Sequence, residues 1–524
     1  MRHLVLFLLP VLASIALLAP AQEVRPVTRP DPPVEKQPDP AIARLRESVQ
    51  PEFLEWSPDY VVERCAEFLA TINEKDRYRI RLFSLADVPR QYLPAAIAGL
   101  YFGTNKVARV PFTQVPRPVP NTDNRIFWVD LCWFNWSYEA WEAASEEDPY
   151  FREPIVSSHN EGLKYLKEQT RANPVIRGDW FLWYTFDNTE FLKVGETFNE
   201  KAFYYRFLYA NVEFERTVAE NGKTVKKKVR GVGPANAHEF QQAWLVEFSH
   251  LKDFPTDMGF MVDKRRSGVS YENRIGWRVR GKNGNYWRTF DVLRSVGDQD
   301  FVETPFPKLF DAGEHIFQDV RGNQVYHLTN GADKSTDIGD PRIVRDHTSG
   351  ARVLMTAGSC IHCHDTGIIP FKNEHLVLQD IGDQLMAYDK ARADRFKQFY
   401  LQDRRMKLAV EEDQRNFTEF IKDCNGLTPQ ENATQFSRIR GWYMQDVTLK
   451  QAARELGAGI EEFSDAIGYQ ATKGRLGRLV LDGRAIPRYT WERGGFQEAG
   501  LLLIEWRKMT KMEQDKLKEG RRNY

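Results

Sequence analysis

The segment GSCIHCHDTG, residues 358–367, contains two cysteines separated by two residues and followed at once by a histidine. This C-x-x-C-H pattern of Cys360, Cys363 and His364 is the attachment signature of a c-type haem. In such a site the two thiols bind the haem covalently, and the adjacent histidine is the proximal ligand of the iron. The pentapeptide therefore predicts one covalent haem c, anchored by Cys360 and Cys363, with His364 as an iron ligand.

Two other kinds of site use closely spaced cysteines. A thiol–disulfide oxidoreductase also uses C-x-x-C, and a histidine such as His362 can stabilise a thiolate. Such sites follow a buried strand and open a helix, whereas the flanking segments MTAGS and DTGIIP are typical of loops. A zinc site needs four ligands, and the motif supplies three without a second C-x-x-C in the chain. The pairing of the other three cysteines, Cys65, Cys132 and Cys424, is left open by the sequence.

The sixth ligand of the iron is less clearly marked. Small c-type cytochromes place a methionine downstream of the motif, and we select Met406, which lies 42 residues after His364 in the helix-like stretch LQDRRMKLAVEED. Without a side chain in that position the iron is open to small ligands or peroxide. The other candidates are Met386, Met444 and His375 after the motif, and Met355, His327 and His347 before it.

The first residues, MRHLVLFLLPVLASIALLAPAQE, combine a basic start, an apolar run and an A-x-A cleavage pattern. This pattern predicts a Sec-type signal peptide over residues 1–21. The apolar run is short for a membrane span, so we expect no span in the mature chain. Residues 22–48 are rich in proline and charge, which predicts an extended linker. The protein is thus expected in the periplasm or secreted, where c-type haem is attached.

The composition narrows the classes of partner. Lys plus Arg and Asp plus Glu both number 73, so the formal net charge is zero and nucleic acid is not an expected partner. The densest basic run, KTVKKKVRG, follows Asn221-Gly222 and alternates with valines, which predicts the solvated face of a hairpin. At 524 residues the chain is long enough for roughly three domains.

The pattern along the chain predicts an α+β fold. We expect a mixed region over residues 49–300, a haem-binding region over residues 301–410 and a helical region over residues 411–524. Apolar residues recur at helical spacing in VVERCAEFLATIN, residues 61–73. Three hairpins are predicted between about 200 and 350, with turns at Asn221-Gly222, residues 281–285 and residues 321–323.

Several longer segments also resemble a known group of proteins. They are RGDWF (177–181), RSGVSYENR (266–274), GNYWRTFDV (284–292), GEHIFQDVRGNQVYHL (313–328), IVRDHTSGARVLMTAGSCIHCHDTGIIP (343–370) and LKQAARELG (449–457). With them the chain resembles the large exported monohaem proteins of planctomycetes and some proteobacteria that are described as cytochrome c domain-containing proteins. The resemblance implies a haem c region within a larger body, and it implies no settled reaction.

The function expected from these features is one-electron transfer to a redox partner protein. A haem enzyme, peroxidase-like or another oxidoreductase, is the second hypothesis and requires an open iron site. A thiol–disulfide oxidoreductase is the third, and it requires no haem. A weaker hypothesis is a polar binding cleft around Asp179 and Arg266, although such residues more often hold loops together.

Overall fold

The structure is a computed structural model. Contacts divide the chain into residues 1–37 and residues 38–524, and the description applies to the second unit. The predicted signal peptide and linker lie outside the described residues, as do Arg266 and His347. The described residues are 56–151, 157–187, 192–193, 195–220, 223–246, 257–261, 273–281, 283–292, 309–345, 353–369, 375–400, 403–468, 476 and 485–521.

The structure contains many helices and several separate sheets, which confirms the predicted α+β class. The N-terminal helices are α1 Pro58–Thr71, α2 Glu74–Arg77, α3 Leu93–Lys106, α4 Leu131–Phe134, α5 Tyr138–Glu147, α6 Ser157–Thr170, α7 Gly178–Phe186, α8 Phe203–Leu208 and α9 Ala237–Ala243. The C-terminal helices are α10 Gly358–Cys363, α11 His375–Tyr388, α12 Lys390–Tyr400, α13 Asp403–Asn425, α14 Pro429–Tyr443, α15 Leu449–Glu455, α16 Ile460–Gly468, α17 Arg488–Thr490, α18 Phe496–Lys508 and α19 Lys511–Arg521. A π-helical turn, Trp491–Gly495, joins α17 to α18.

Within the described residues the strands form three sheets. They are β1 Ile80–Ser84, β2 Arg117–Pro118, β3 Ile126–Asp130, β4 Val175–Arg177, β5 Glu213–Glu220, β6 Lys223–Arg230, β7 Asp257–Met261, β8 Asn273–Gly281, β9 Gly284–Val292, β10 Ala312–Asp319, β11 Gln324–Asn330 and β12 Ser335–Thr336. The first sheet has the order β2-β3-β1-β4, with β1 and β4 parallel. The second has the order β12-β11-β10-β9-β8-β7 and is antiparallel throughout, and β5 and β6 form a two-stranded sheet.

All three predicted hairpins are present as β5–β6, β8–β9 and β10–β11. The strands of the first hairpin are largely exposed, as expected for its basic run. The helix predicted over residues 61–73 is α1, in which Cys65 and Leu69 are buried on the predicted face. These elements form where local alternation or helical spacing of apolar residues is strong.

The six-stranded sheet extends across the predicted regional boundary at residue 300. Strands β7 to β9 precede that position and β10 to β12 follow it. Helix α13 likewise continues through residue 410. The segment expected to bind haem therefore shares a sheet and a helix with the regions on either side of it.

One face of this sheet packs against α13 through a buried carboxylate. Asp413 accepts hydrogen bonds from Nε and Nη2 of Arg278 at 2.9 and 2.8 Å, from Asn285 at 2.6 Å and from the Trp287 indole at 2.6 Å. Arg278 and Asp413 are both fully buried. Because each polar atom of a buried ion pair must find a partner, this network fixes where α13 crosses the sheet.

The aromatic segments of the N-terminal half form core. Trp136, Trp141 and Trp180 are buried, and Phe181 packs against Trp136 and Phe207. These tryptophans therefore belong to the hydrophobic core and not to an exposed binding surface. No helix in the described part of the chain is long and apolar enough to cross a membrane.

Candidate functional site

The C-x-x-C-H motif forms the short helix α10 and its C-terminal cap. Ala357, at the N-cap, has a φ of 64°, a conformation that residues with a side chain rarely adopt. It is held there by a β-bridge to Asp187 at the end of α7. A Cβ atom added to Gly358 would lie 2.7 Å from the carbonyl oxygen of Phe186, so only glycine fits at this position. These contacts fix α10 against the C-terminal end of α7.

The two cysteines differ in their surroundings. They are three residues apart on one helix and so lie on the same side of α10. Cys360 is 1% exposed, and burial raises the pKa of its thiol well above the ordinary value. Cys363 is partly exposed. No disulfide joins Cys360 to Cys363 in the structure.

The imidazole of His364 is oriented through both of its nitrogens. Nδ1 lies 3.2 Å from the carbonyl oxygen of Gly367, which can only accept a hydrogen bond. Nδ1 therefore carries a hydrogen. Nε2 lies 3.4 Å from Oε1 of Glu314, and the ring stacks on Tyr326 with 5.7 Å between centroids and 25° between planes. The chain thus holds Nδ1 by its own backbone and directs Nε2 toward strands β10 and β11.

Glu314 belongs to a buried charged cluster. Its Oε2 accepts a hydrogen bond of 2.9 Å from Arg274, which also forms a bidentate ion pair with Asp291 at 2.8 and 3.0 Å. Burial alone would raise the pKa of Glu314, but the hydrogen bond to His364 and the charge of Arg274 outweigh it and lower the pKa to about 2. Two carboxylates face one guanidinium in this cluster, and Glu314 connects the cluster to Nε2 of His364.

The cross-strand register explains why these residues converge. Trp287, Ile316 and Tyr326 are direct neighbours on β9, β10 and β11, and side chains alternate along each strand. Glu314, two residues before Ile316, therefore lies on the same face as Tyr326. That face also contacts Asp413 of α13 through Trp287. Residues far apart in the chain meet here because the sheet and α13 bring them together.

A small cavity lies beside His364, under the exposed side of α10. Its volume is about 20 Å³, which is room for roughly one water molecule. Its aromatic walls come from four elements: Phe102 of α3, Tyr326 of β11, Phe417 of α13 and Phe436 of α14. Polar side chains at its edge are His362, Asp365, Asn432, Ser437 and Arg440.

The placement of α14 over this cavity follows from its N-terminal sequence. The hydroxyl of Thr428 accepts from the Glu431 backbone, and the Glu431 carboxylate accepts from the Thr428 backbone, which is a capping box. Asn432, Phe436 and Arg440 follow at intervals of four residues, so one side of the helix faces the cavity.

The loop after the motif is tied to α13, because Gln414 donates to the carbonyl of Ile368 at 3.3 Å.

Met406, the candidate for the sixth ligand, lies elsewhere. It is buried in α13, seven residues before Asp413, and does not line the cavity beside His364. Phe417, which does line it, follows eleven residues later on the same helix, and the helical rise puts the two roughly 16 Å apart. The structure therefore brings Cys360, Cys363 and His364 together and leaves Met406 apart. Met386 and Met444 are exposed.

Lys106 was not identified by the sequence analysis. It is 1% exposed at the end of α3, one turn after Phe102. Its Nζ donates to the carbonyl of Gln324 and lies 4.4 Å from the ring centroid of Tyr326. Burial lowers the pKa of its ammonium to about 7, and the charges of Asp319 and Cys360 oppose that shift in part. In the sequence Lys106 looks like an ordinary basic residue in the last turn of a helix.

Other polar residues that the sequence brings into question have structural contacts in the fold. Asp179 is buried and pairs with Arg177, with 3.0 Å between Oδ1 and Nε. His315 and His327 are buried on the opposite face of the sheet from Tyr326, and burial lowers the pKa of both. Among the residues that the structure describes, no group of three or more His, Cys, Asp or Glu side chains is arranged to hold a metal ion.

No protein-family model, curated protein or solved structure matches this chain.

Proposed function

We propose that this protein is an exported c-type cytochrome, periplasmic or secreted, that carries one haem and transfers single electrons to a redox partner protein. Cys360 and Cys363 are the covalent anchors and His364 is the proximal ligand. The observation that carries the proposal is the hydrogen bond from Nδ1 of His364 to the Gly367 carbonyl. Histidines that bind metals almost always donate their second ring N–H to such an acceptor, which leaves Nε2 for the metal.

The donor set fits a covalently bound haem. The two thiols lie on the same side of one helical turn, and the imidazole follows at the helix end. Haem bound in this way supplies one-electron chemistry. The partly exposed Cys363 and the exposed His362 lie at the solvent side of the motif. This edge is the part of the site at which a redox partner can approach closely.

The packing beside His364 sets a condition on this proposal. Pockets for small molecules and cofactors have volumes of roughly 300–1,000 Å³, and the cavity beside His364 has about 20 Å³. A haem therefore needs the rings of Phe102, Tyr326, Phe417 and Phe436 to stand further apart. Since Cys360 is buried as well, we infer that the thiols react before these elements close around them.

The environment of Cys360 is unfavourable for the rival dithiol function. A nucleophilic cysteine in a C-x-x-C oxidoreductase has a lowered pKa and an accessible sulfur. Cys360 has the reverse, a buried sulfur and a pKa raised by burial. Its Sγ approaches only the Met355 carbonyl, at 3.9 Å, among the hydrogen-bond acceptors described. Covalent attachment of both thiols agrees better with this environment than reversible exchange does.

The test is an alkaline pyridine haemochrome spectrum of protein matured in a host with a cytochrome c assembly system. We expect the α-band of a haem with two thioether bonds, resistant to acid–acetone extraction. Cys360→Ala with Cys363→Ala should lose it, and Cys132→Ser, which changes an exposed cysteine outside the motif, should not. Colourless wild-type protein from such a host would contradict the proposal.

A second pair of variants tests the role of His364. His362 lies two residues earlier in the same motif and is exposed, so His362→Ala is a matched control for His364→Ala. We expect His364→Ala to change the ferric spectrum and lower haem retention, while His362→Ala leaves both as in the wild type. Equal effects of the two substitutions would remove His364 from its proposed role.

A further inference from the structure

A larger cavity lies between α3, the loop that joins β2 to β3, and the junction of α13 and α14. Its volume is about 680 Å³, within the range of roughly 300–1,000 Å³ that is typical of small-molecule sites. The residues that line it include none of the C-x-x-C-H motif and none that line the cavity beside His364. It is therefore a separate candidate site.

One wall of this cavity is apolar. Leu93, Ile97 and Tyr101 follow one another at intervals of four residues along α3, so they share one face of the helix. Leu427, between α13 and α14, lines the cavity as well, and all four side chains are partly exposed. Because burial of apolar surface is favourable, this wall favours a ligand with an apolar body that covers these side chains.

The charged side chains at this cavity are mainly cationic. Arg90 and Arg125 line it, and among the described lining residues Asp123 is the only carboxylate. Arg125 is buried, and its Nη1 donates to the carbonyls of Ala86 and Val88 at 2.9 and 2.8 Å, so the fold holds this guanidinium in place. Arg90 is exposed and forms no ion pair with any described residue. The surplus of positive charge favours an anionic ligand.

Helix α3 begins at the same cavity, since its first residues, Leu93 and Pro94, line it. Within the described residues no side chain caps this end, and the first turn of α3 contains no acidic residue. The backbone dipoles of a helix give its N-terminus a partial positive charge. Arg438 of α14 adds to this charge, because its guanidinium lies 5.3 Å from the ring centroid of Tyr92, the residue before α3. The helix end and the arginines therefore favour the same sign of ligand charge.

Gln435 of α14 supplies an unsatisfied polar group to this cavity. Its Oε1 is buried and accepts no hydrogen bond from any described residue. A buried polar atom without a partner costs free energy, so a ligand that meets this amide gains from the contact. Rotation of the amide presents Nε2, a hydrogen-bond donor, in place of Oε1. The same side chain can therefore donate to an anionic ligand.

We propose that this cavity binds a small organic carboxylate with an apolar body, of the medium-chain fatty acid class. The carboxylate lies against Arg90 and the start of α3, and the hydrocarbon chain covers Ile97, Tyr101 and Leu427. An inorganic anion would leave the apolar wall uncovered, and a neutral hydrocarbon would leave the arginines without a counter-charge. This site requires no haem, so the inference does not rest on the proposed electron transfer.

Isothermal titration calorimetry of the purified whole protein tests this assignment with three probes. Octanoate has both the charge and the apolar chain, octanamide lacks the charge, and acetate lacks the apolar body. We expect octanoate to bind at one saturable site, at least tenfold more tightly than octanamide or acetate. Absence of octanoate binding, or equal affinities for octanoate and octanamide, would overturn the proposal.

Substitutions then locate the site. Arg90→Gln should weaken octanoate binding at least tenfold and leave octanamide binding unchanged, and Leu427→Ser should weaken both. Arg404→Gln is the matched control, because Arg404 is an exposed arginine of α13 that does not line the cavity. Equal affinities of the two arginine variants for octanoate would place the binding elsewhere and overturn the proposal. Since Arg90 is exposed, its variant decides the question even if Leu427→Ser does not fold.

Discussion

Asp413 of α13 and Arg278 of β8 form a bidentate ion pair, with Oδ2–Nε and Oδ1–Nη2 distances of 2.9 and 2.8 Å, and both residues are fully buried. Four residues after Asp413, Phe417 forms a wall of the cavity beside His364. The neighbouring Gln414 holds the loop that follows the haem motif. The ion pair therefore positions the site as well as the helix.

The first prediction concerns this pair. Asp413→Ala removes the buried carboxylate that accepts two hydrogen bonds from Arg278, so we expect a loss of about 3–5 kcal/mol in the free energy of unfolding. Glu412→Ala is the matched control, because Glu412 is adjacent, partly exposed and bonded to Arg278 and Arg280 at 3.1 and 2.6 Å. Its loss should be below about 1 kcal/mol. Urea unfolding curves of the two variants measure the difference, and equal midpoints would contradict the assigned role.

Much of the local structure could be predicted from the sequence. The three hairpins and helix α1 have strong periodic patterns over short distances, and the motif residues Cys360, Cys363 and His364 are adjacent in the chain. The structure places these three residues on one helical turn and its cap. Patterns of this kind depend on neighbours within a few residues, which sequence reasoning can use directly.

The remaining parts of the site depend on contacts between distant residues. Lys106 and Gln324 are 218 positions apart, and Arg278 and Asp413 are 135 positions apart. The residues next to these positions in the sequence give no indication of either contact. The choice of Met406 rests on its spacing from His364 and on a helix-like stretch, and neither carries information about which side of α13 faces the cavity. Tertiary packing decides such positions, so they were not predictable from local pattern.

The second prediction concerns the position of α10. In Gly358→Ala the new methyl group meets the Phe186 carbonyl oxygen at 2.7 Å, so we expect a loss of about 1–3 kcal/mol in folding stability. Haem incorporation should fall as well, because α10 carries both thiols. Gly441→Ala is the control: Gly441 is exposed in α14 and its added Cβ has no atom within 4 Å. That variant should be unchanged or stabilised by up to about 1 kcal/mol.

The third prediction concerns acid stability at a second buried cluster. Glu455 lies 2.8 Å from Arg488 and 3.3 Å from Arg177. Burial raises the pKa of the Glu455 carboxyl, but the charges of these two arginines outweigh burial and lower the pKa to about 2. Such a carboxylate adds stability above its unfolded pKa of about 4.3, and that stability is lost as the pH falls toward 2. Glu455→Gln should lose about 3–5 kcal/mol at pH 7.

Urea midpoints at neutral and acidic pH test this expectation. The difference between wild type and Glu455→Gln should shrink as the pH falls through the range from about 4 to 2. Asp87 also faces Arg177, at 3.6 Å, but burial raises its pKa to about 6, so its contribution falls as the pH rises. Glu462→Gln, which changes a partly exposed partner of Arg507, is the control and should cost below about 1 kcal/mol. A pH-independent difference for Glu455→Gln would contradict the prediction.

The fourth prediction concerns the accessibility of the thiols in haem-free protein. A thiol reacts through its thiolate, and burial both shields the sulfur of Cys360 and raises its pKa. Under native conditions we expect an alkylating reagent to label the exposed Cys132 first, the partly exposed Cys363 more slowly, and Cys360 only after unfolding. Peptide mass spectrometry after timed quenching measures the order. Cys65 and Cys424 are also buried and serve as internal references for protected thiols.

The order of labelling bears directly on how haem is attached. If Cys360 is protected like Cys65, folded haem-free protein should take up no haem covalently, and attachment must precede closure of α10 against α7. This can be checked by offering reduced haem to folded and to urea-unfolded protein. Labelling of Cys360 at the rate of Cys132 would show instead that α10 opens in the native state, and haem could then enter after folding.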